Sequence, residues 1–371
     1  MKIGFEAKRA FFNSSGLGNY SRNIILALNQ FYPDNQYLLF TPPTDRKFFP
    51  EGKSQRIVPH GFSSIFSSLW RYQGMGKTAK KYNLDIFHGL SNELPRDVKR
   101  TKAKSVVSIH DVIFMRFPQW YKWHDRWFYK QKTAFACENS DVIIAISEQT
   151  KEDLMQFFKV KEPKIRVIYQ PCNPIFEQAI TVITEEQKQI VKEKLQLPND
   201  FVLMVGNIEE RKNHWNVIKS LHNNKIDIPL VIVGRNSDYA LSLKKQITQN
   251  KIKNIYFQHD ILSEDLPAIY ALATIFIYPS FFEGFGIPIA EALWCKTPVI
   301  TSNVACFKET AGETALFINP HSEEEIAQAI RTVLENENIR IQMIEKGWVH
   351  VNKFSAKNIS AEMIKLYSEL C

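Results

Sequence analysis

Thr274-Ile275-Phe276-Ile277-Tyr278-Pro279-Ser280-Phe281-Phe282-Glu283-Gly284-Phe285-Gly286-Ile287-Pro288-Ile289-Ala290-Glu291 reads as a strand, a glycine loop and a helix in direct succession. The apolar run 274–278 has the length and content of a buried strand, and Pro279-Ser280 ends it. Pro288 suits the first helical position, where its missing N–H leaves no bond unmade. Gly284 and Gly286 allow close approach of a ligand to the backbone. Free N–H groups and the helix dipole at such a junction favour an anion. Glu283 and Glu291 flank it, and two carboxylates would repel the anion itself. They fit instead as acceptors for hydroxyl groups, which a nucleotide sugar offers on both sides of its diphosphate. A plain strand–turn–helix with two solvated glutamates fits the same pattern.

Outward from this segment, short apolar runs alternate with longer amphipathic ones along the whole chain. Strands are expected at 2–6, 36–41, 55–58, 85–88, 105–110, 142–146 and 164–169, then at 201–205, 230–233, 255–257, 274–278, 299–301 and 316–318. Helices are expected at 19–31, 122–139, 148–158, 215–223, 239–250, 265–273, 287–294 and 323–335, with charged helical stretch 185–197 between the halves. Such alternation is the pattern of α/β chains with parallel sheets covered on both faces. A linker is placed at 172–199, which gives two doubly wound domains. Sheets of this kind bind ligands outside the carboxyl ends of their strands, where the glycines of this chain sit.

A chain of 371 residues with 44% hydrophobic and 23% charged content can bury a core in each domain. Met1–Glu6 already reads as a strand, so no secretory leader is read, and no apolar run suits a membrane span. The five cysteines lack paired metal-ligand spacing and read as reduced thiols, consistent with a cytoplasmic location. Charge is uneven: residues 1–175 carry +12 and residues 176–371 carry −4. The basic half fits an anionic membrane surface, a pyrophosphate-linked lipid or an ordinary solvated surface. Nucleic acid is not favoured, since no groove-reading or ribonucleoprotein motif is present. The aromatic and basic stretch Phe62–Lys81 reads as a partly buried amphipathic helix, with contact to a membrane or acceptor as its alternative.

Three further segments carry candidate chemistry. Ser14-Ser15-Gly16-Leu17-Gly18-Asn19 opens a helix and offers N–H groups to a phosphate or substrate, or is simply a tight turn. His110 closes a strand in Ser108-Ile109-His110-Asp111, at the edge where side chains face a ligand, although a lone histidine is usually structural; His88 has the same placement and a weaker case. Gly206-Asn207-Ile208-Glu209-Glu210-Arg211-Lys212-Asn213 again joins a strand to a helix, and Arg211 and Lys212 are cations suited to a departing nucleoside diphosphate. Lys308-Glu309-Thr310-Ala311-Gly312 reads as a polar turn. No Asp-x-Asp, Walker-type phosphate loop or Gly-x-Ser-x-Gly elbow occurs, so no metal ligand set and no metal requirement is expected.

Taken in order, these segments resemble the large family of retaining nucleotide-sugar glycosyltransferases, family 4 type, that includes mannosyltransferases of bacterial polysaccharide assembly. The resemblance runs from Gly16-Leu17-Gly18 through His110-Asp111, Ala145–Glu148, Gly206–Asn213 and Tyr278–Glu291 to Glu309–Gly312. It implies two Rossmann-like domains facing across a cleft (GT-B). Residues 1–175 would bind the acceptor, residues 176–354 the donor, and a last helix at 355–371 would cross back to the first domain. By the same resemblance, Glu283 meets the transferred sugar and Glu291 the ribose hydroxyls. Arg211 and Lys212 hold the diphosphate, and the backbone of Gly284, Phe285, Gly286 and Ile287 meets sugar or phosphate oxygens. His110 reaches the sugar from the other domain, Gly16 and Gly18 lie by the donor, and Glu309 is a further position near it.

The implied reaction moves a hexose, with mannose from GDP-mannose favoured, to a hydroxyl of a glycan or lipid-linked glycan. It needs no cofactor, since the nucleotide sugar is a substrate, and it would run in the cytoplasm with contact to the inner face of the membrane. Asn207 stands where many relatives have Arg, and Gln170-Pro171-Cys172 replaces the usual Asn-Gly after the linker strand. A nucleotide-sugar epimerase, another two-Rossmann enzyme, or a non-catalytic binder of anionic surfaces remain the alternatives.

Overall fold

A computed structural model of the chain describes residues 1–46, 54–60, 66–179 and 183–371. It divides into two compact units, Met1–Pro171 with Phe354–Cys371, and Cys172–Lys353.

The first unit holds β1 (Lys2–Glu6), β2 (Gln36–Phe40), β3 (Ser54–Ile57), β4 (Ile86–Gly89), β5 (Lys104–Ile109), β6 (Val142–Ala145) and β7 (Ile165–Val167). All pair in parallel, in the order β3-β2-β1-β4-β5-β6-β7. The second unit holds β8 (Val202–Val205), β9 (Leu230–Val233), β10 (Ile255–Gln258), β11 (Ile275–Tyr278), β12 (Val299–Ser302) and β13 (Leu316–Ile318). These are also parallel, in the order β10-β9-β8-β11-β12-β13. Each sheet therefore reverses its strand order once, between β1 and β4 in the first and between β8 and β11 in the second. That reversal leaves a crevice at the carboxyl ends of the two strands beside it. β4, β6, β9 and β11 are buried along their whole length, as expected of central strands covered on both faces.

The strands lie where the hydrophobic runs placed them, with ends moved by a residue or two. Several helices begin at side-chain caps: Ser147 accepts from the Thr150 N–H, Ser322 from Glu325 and Ser355 from Asn358. Three local readings change. The helix expected at 19–31 starts at Gly16, so both glycines belong to its first turn rather than to a loop before it. Lys308–Ala311 is not a polar turn but the end of a helix, Ala305–Ala311, whose Cys306, Phe307, Thr310 and Ala311 are buried. A helix at Glu337–Val351 was not foreseen, because it buries only Met343, Gly347 and Val351, too narrow an apolar stripe to read. In the stretch 62–81, residues 62–65 lie outside the described ones, and the rest forms helices Ser67–Gln73 and Met75–Ala79 and a 3₁₀ turn that runs on to Tyr82.

The last helix, Ala356–Leu370, packs into the first unit. There Tyr367 joins a buried chain of hydrogen bonds: its hydroxyl meets His88 Nδ1 at 2.6 Å, His88 Nε2 meets Ser108 Oγ at 2.9 Å, and Ser108 Oγ meets the Tyr20 hydroxyl at 2.8 Å.

Candidate functional site

The second unit brings its sequence-read residues together at the β8/β11 crevice. Beyond β8, Gly206 adopts φ +135°, a region that favours glycine, and leads to a 3₁₀ turn at Glu210–Lys212. Asn213 follows with φ +62°, a conformation asparagine tolerates. Its amide locks the turn by donating to the Pro279 and Pro320 carbonyls at 3.2 and 2.6 Å. The turn aims Arg211 and Lys212 at one carboxylate. Arg211 Nη1 and Lys212 Nζ each lie 2.5 Å from Glu283 Oε1. Arg211 Nη1 also donates to the Phe282 carbonyl at 2.9 Å, and the Arg211 carbonyl accepts from the Phe281 N–H at 3.0 Å, so the two loops clasp each other.

The Tyr278 hydroxyl, at the end of β11, donates to Glu283 at 3.1 Å and is in turn bonded by Lys212, whose ammonium sits 4.6 Å from the Tyr278 ring centroid. Burial pushes the Glu283 carboxyl up, but Lys212 and Arg211 outweigh it and hold the group down at about 2. Burial lowers Lys212 despite its neighbour Glu283. The result is a buried carboxylate that stays ionised, with two cations turned towards it.

Gly286, with φ +94°, starts the helix Ile287–Trp294, and a Cβ there would lie 3.0 Å from Phe307. In the first turn of that helix Pro288 carries no N–H and the Ile289 N–H donates to the Gly286 carbonyl at 2.9 Å, so what this end offers an anion is chiefly the positive end of the helix dipole. The glycine loop is pinned from behind by the Ala305–Ala311 helix: Thr310 donates to the Phe285 carbonyl at 2.6 Å, and Cys306 Sγ to the Glu283 carbonyl at 3.1 Å. Glu309 is on this helix, its carbonyl accepting from Lys353 at 2.9 Å. Glu291 lies one helical turn beyond Ile287 and accepts from the Tyr270 hydroxyl at 2.8 Å. Burial pushes its carboxyl up to about 7, the hydrogen bond from Tyr270 opposing this. Near Gly234, His259 Nδ1 meets the Gly234 carbonyl at 2.5 Å and Lys244 meets His259 Nε2 at 3.0 Å. Among the described residues, no three metal-binding side chains converge.

His110, Gly16 and Gly18 form a separate set in the first unit. The His110 ring meets Tyr20 edge-on at 4.5 Å, and Tyr20 belongs to the helix that Gly16 opens. His110 Nε2 is bonded to the Leu90 carbonyl at 2.9 Å, and burial lowers its pKa to about 4, so it is a neutral imidazole. Gly16 is exposed with open space where a Cβ would go, whereas a Cβ on Gly18 would fall 1.8 Å from the Asn13 carbonyl oxygen. Gly18 is thus required by packing.

Sequence reasoning missed Tyr278, Tyr270 and Asn213. Asn213 could have been found, since an asparagine between a turn and a helix is a frequent left-handed position; neither tyrosine had a local signal.

Two family models match side by side: "Glycosyltransferase Family 4" over residues 14–174 and "Glycosyl transferases group 1" over residues 185–348. The chain is a glycosyltransferase built of a family 4 domain and a group 1 domain. It is a hexosyltransferase. This glycosyltransferase is 26% identical over 393 aligned positions to O-antigen chain mannosyltransferase B of Escherichia coli, covering 100% of both chains. It is 28% identical to O-antigen chain mannosyltransferase RfbU of Salmonella typhimurium over 61% of this chain and 60% of that one. In fold it is similar to HepE of Anabaena, solved in complex with UDP and glucose, with a TM-score of 0.79, 16% identity and full coverage of both chains. The two parallel-sheet units of this glycosyltransferase are those of the GT-B fold. Among its described residues, no helix is long and apolar enough to cross a membrane.

Proposed function

We propose that this glycosyltransferase moves mannose from GDP-mannose to a hydroxyl of a lipid-linked glycan, retaining the anomeric configuration, as a step in bacterial polysaccharide assembly. The observation that carries the reading is the convergence of Arg211 and Lys212 on Glu283 beside the start of the Ile287–Trp294 helix. Two cations and a helix N-terminus can take up the charge that develops on a leaving diphosphate, the largest electrostatic demand of the reaction. Glu283, kept ionised, accepts hydroxyl groups of the transferred sugar. Glu291 accepts those of the ribose. The leaving phosphate itself takes the acceptor proton, so no separate base is required. Arg211, Lys212 and the positive end of the helix dipole supply the positive charge without a resident metal. The choice of mannose is supported by the full-length likeness to an O-antigen mannosyltransferase.

The first unit binds the acceptor in this reading, with His110 reaching the sugar as a neutral hydrogen-bonding group and Gly16 leaving room at the donor. The enzyme works in the cytoplasm, touching the anionic inner face of the membrane where a lipid-linked acceptor is found. Calorimetric titration of GDP, UDP, ADP and their sugar conjugates, with and without a chelator, tests the donor. Selective, chelator-insensitive binding of GDP and GDP-mannose is expected. Binding of another nucleotide overturns the choice of mannose donor. Consumption of donor without any glycan acceptor gaining the mass of a hexose favours an epimerase instead.

A further inference from the structure

The helix Trp123–Asn139 has two unlike halves. Its second half is anchored by Thr133, Ala136 and Cys137. Its first half stands in solvent, with Trp123 77%, Trp127 60% and Phe128 50% exposed, Trp123 and Trp127 one turn apart on the same face. Around them stand Lys122, Arg126 and Lys130, with Asp125 the one acid in that stretch of the helix, while Lys132 is paired with Glu93. The neighbouring helix Ser67–Gln73 adds Leu69, 59% exposed, and Tyr72, 45% exposed.

Two bridges hold these helices as one surface. Glu93 takes Arg71 from one helix and Lys132, at 2.9 Å, from the other. Arg96 lies 4.2 Å from the Phe135 ring centroid and 5.6 Å from that of Tyr72, and donates to the Tyr72 hydroxyl at 3.0 Å. Large apolar side chains left exposed together on one surface and rimmed by charge mark an interaction site.

We propose that this two-helix surface is the face by which the enzyme lies on an anionic lipid bilayer. Tryptophan and tyrosine seat their amphipathic rings at headgroup depth, Leu69 and Phe128 enter the acyl boundary, and the surrounding lysines and arginines meet anionic headgroups. A second copy of the chain is disfavoured as the occupant, because a two-fold contact would set this basic surface against itself. Nucleic acid would stack on the rings but leave Leu69 uncovered, whereas a bilayer takes in both. The inference rests on the membrane contact of the reading above but not on its sugar chemistry, so the two can fail separately.

The test is flotation of the full chain with vesicles of roughly three parts phosphatidylglycerol to seven of phosphatidylcholine, against phosphatidylcholine alone. Wild type is expected to float with the anionic vesicles only, and to be released at ~0.5 M salt. Trp123→Ser with Trp127→Ser, and separately Lys122→Glu with Lys130→Glu, are expected to weaken binding by at least about tenfold while donor nucleotide binding and melting temperature stay unchanged. Wild type that stays with neither vesicle overturns the proposal, as does a Trp123/Trp127 variant that floats like wild type. So does a wild type that forms dimers, or binds an RNA oligonucleotide, through the same residues while ignoring the vesicles. Failure to bind any nucleotide would sink the sugar-transfer reading and leave the docking result standing.

Discussion

Lys212 Nζ and Glu283 Oε1 lie 2.5 Å apart, though 71 positions separate the two residues in the chain. Their side chains are only 11% and 13% exposed, and Arg211 reaches the same oxygen. The pair joins the loops that follow β8 and β11, so the strand-order reversal of the second sheet is also where its charges are gathered.

Arg211→Ala and Lys212→Ala are each expected to lower turnover by ~10²-fold, the scale for losing one donor that acts on developing charge. Steady-state kinetics with the donor varied separate this from loss of ground-state binding, which would raise KM alone. Near-normal turnover in both variants would remove these residues from the chemistry.

Glu291 gives a pH signature. Its carboxyl titrates at about 7 in the folded chain against 4.5 when unperturbed, because burial disfavours its charge. Between those values the unfolded chain has already released the proton that the folded chain keeps, so this group costs stability as pH rises from 4.5 to 7. Glu291→Gln removes the charge, and its melting temperature should gain on wild type across that window and hold the gain above it. Donor affinity in wild type should rise with pH near 7, as the carboxylate becomes the better acceptor, and lose that rise in the variant. A pH-independent melting difference would place Glu291 in a solvated setting instead.

The histidines act in the opposite direction. Burial lowers His88 to about 3, His110 to about 4 and His214 to about 3, so all three are neutral in the folded chain. Unfolded, each takes up a proton near 6.5, and stability is lost as pH falls from there through the folded values. Thermal melts should therefore fall steeply below pH 6, and histidine proton resonances should show three rings that do not titrate above pH 5. In the same network, Tyr367→Phe leaves a nitrogen of His88 without its partner and should cost about 1–3 kcal/mol by denaturant unfolding.

Gly16 and Gly18 separate packing from function. Gly18→Ala meets the Asn13 carbonyl and should lower the melting temperature markedly, whereas Gly16→Ala meets nothing and should leave it unchanged. If Gly16 keeps space for a bound donor, its alanine variant loses activity at full stability. Full activity would make the Gly16 position an ordinary helix start.

Both sheets could be read from the chain because their central strands are covered on two faces, which leaves unbroken apolar runs such as Ile275–Tyr278. Glu283 was legible because it adjoins Gly284 in the loop after β11, and Arg211, Lys212 and Glu291 because they follow Gly206 and Gly286 in strand-to-helix segments. The tyrosines were not, since Tyr270 and Tyr278 are apolar in pattern and only their hydroxyls, meeting Glu291 and Glu283, belong to the site. The Glu337–Val351 helix was hidden for a related reason: half of its face is polar and solvated, so its period never rose above that of a surface segment.

The chain of hydrogen bonds from Tyr20 to Tyr367 also sets an order of events at the ribosome. Tyr367 lies 279 positions after His88, with the entire second unit encoded between them. The amino-terminal unit is therefore born incomplete, its polar core open until Tyr367 has been added, while the unit synthesised between can close first.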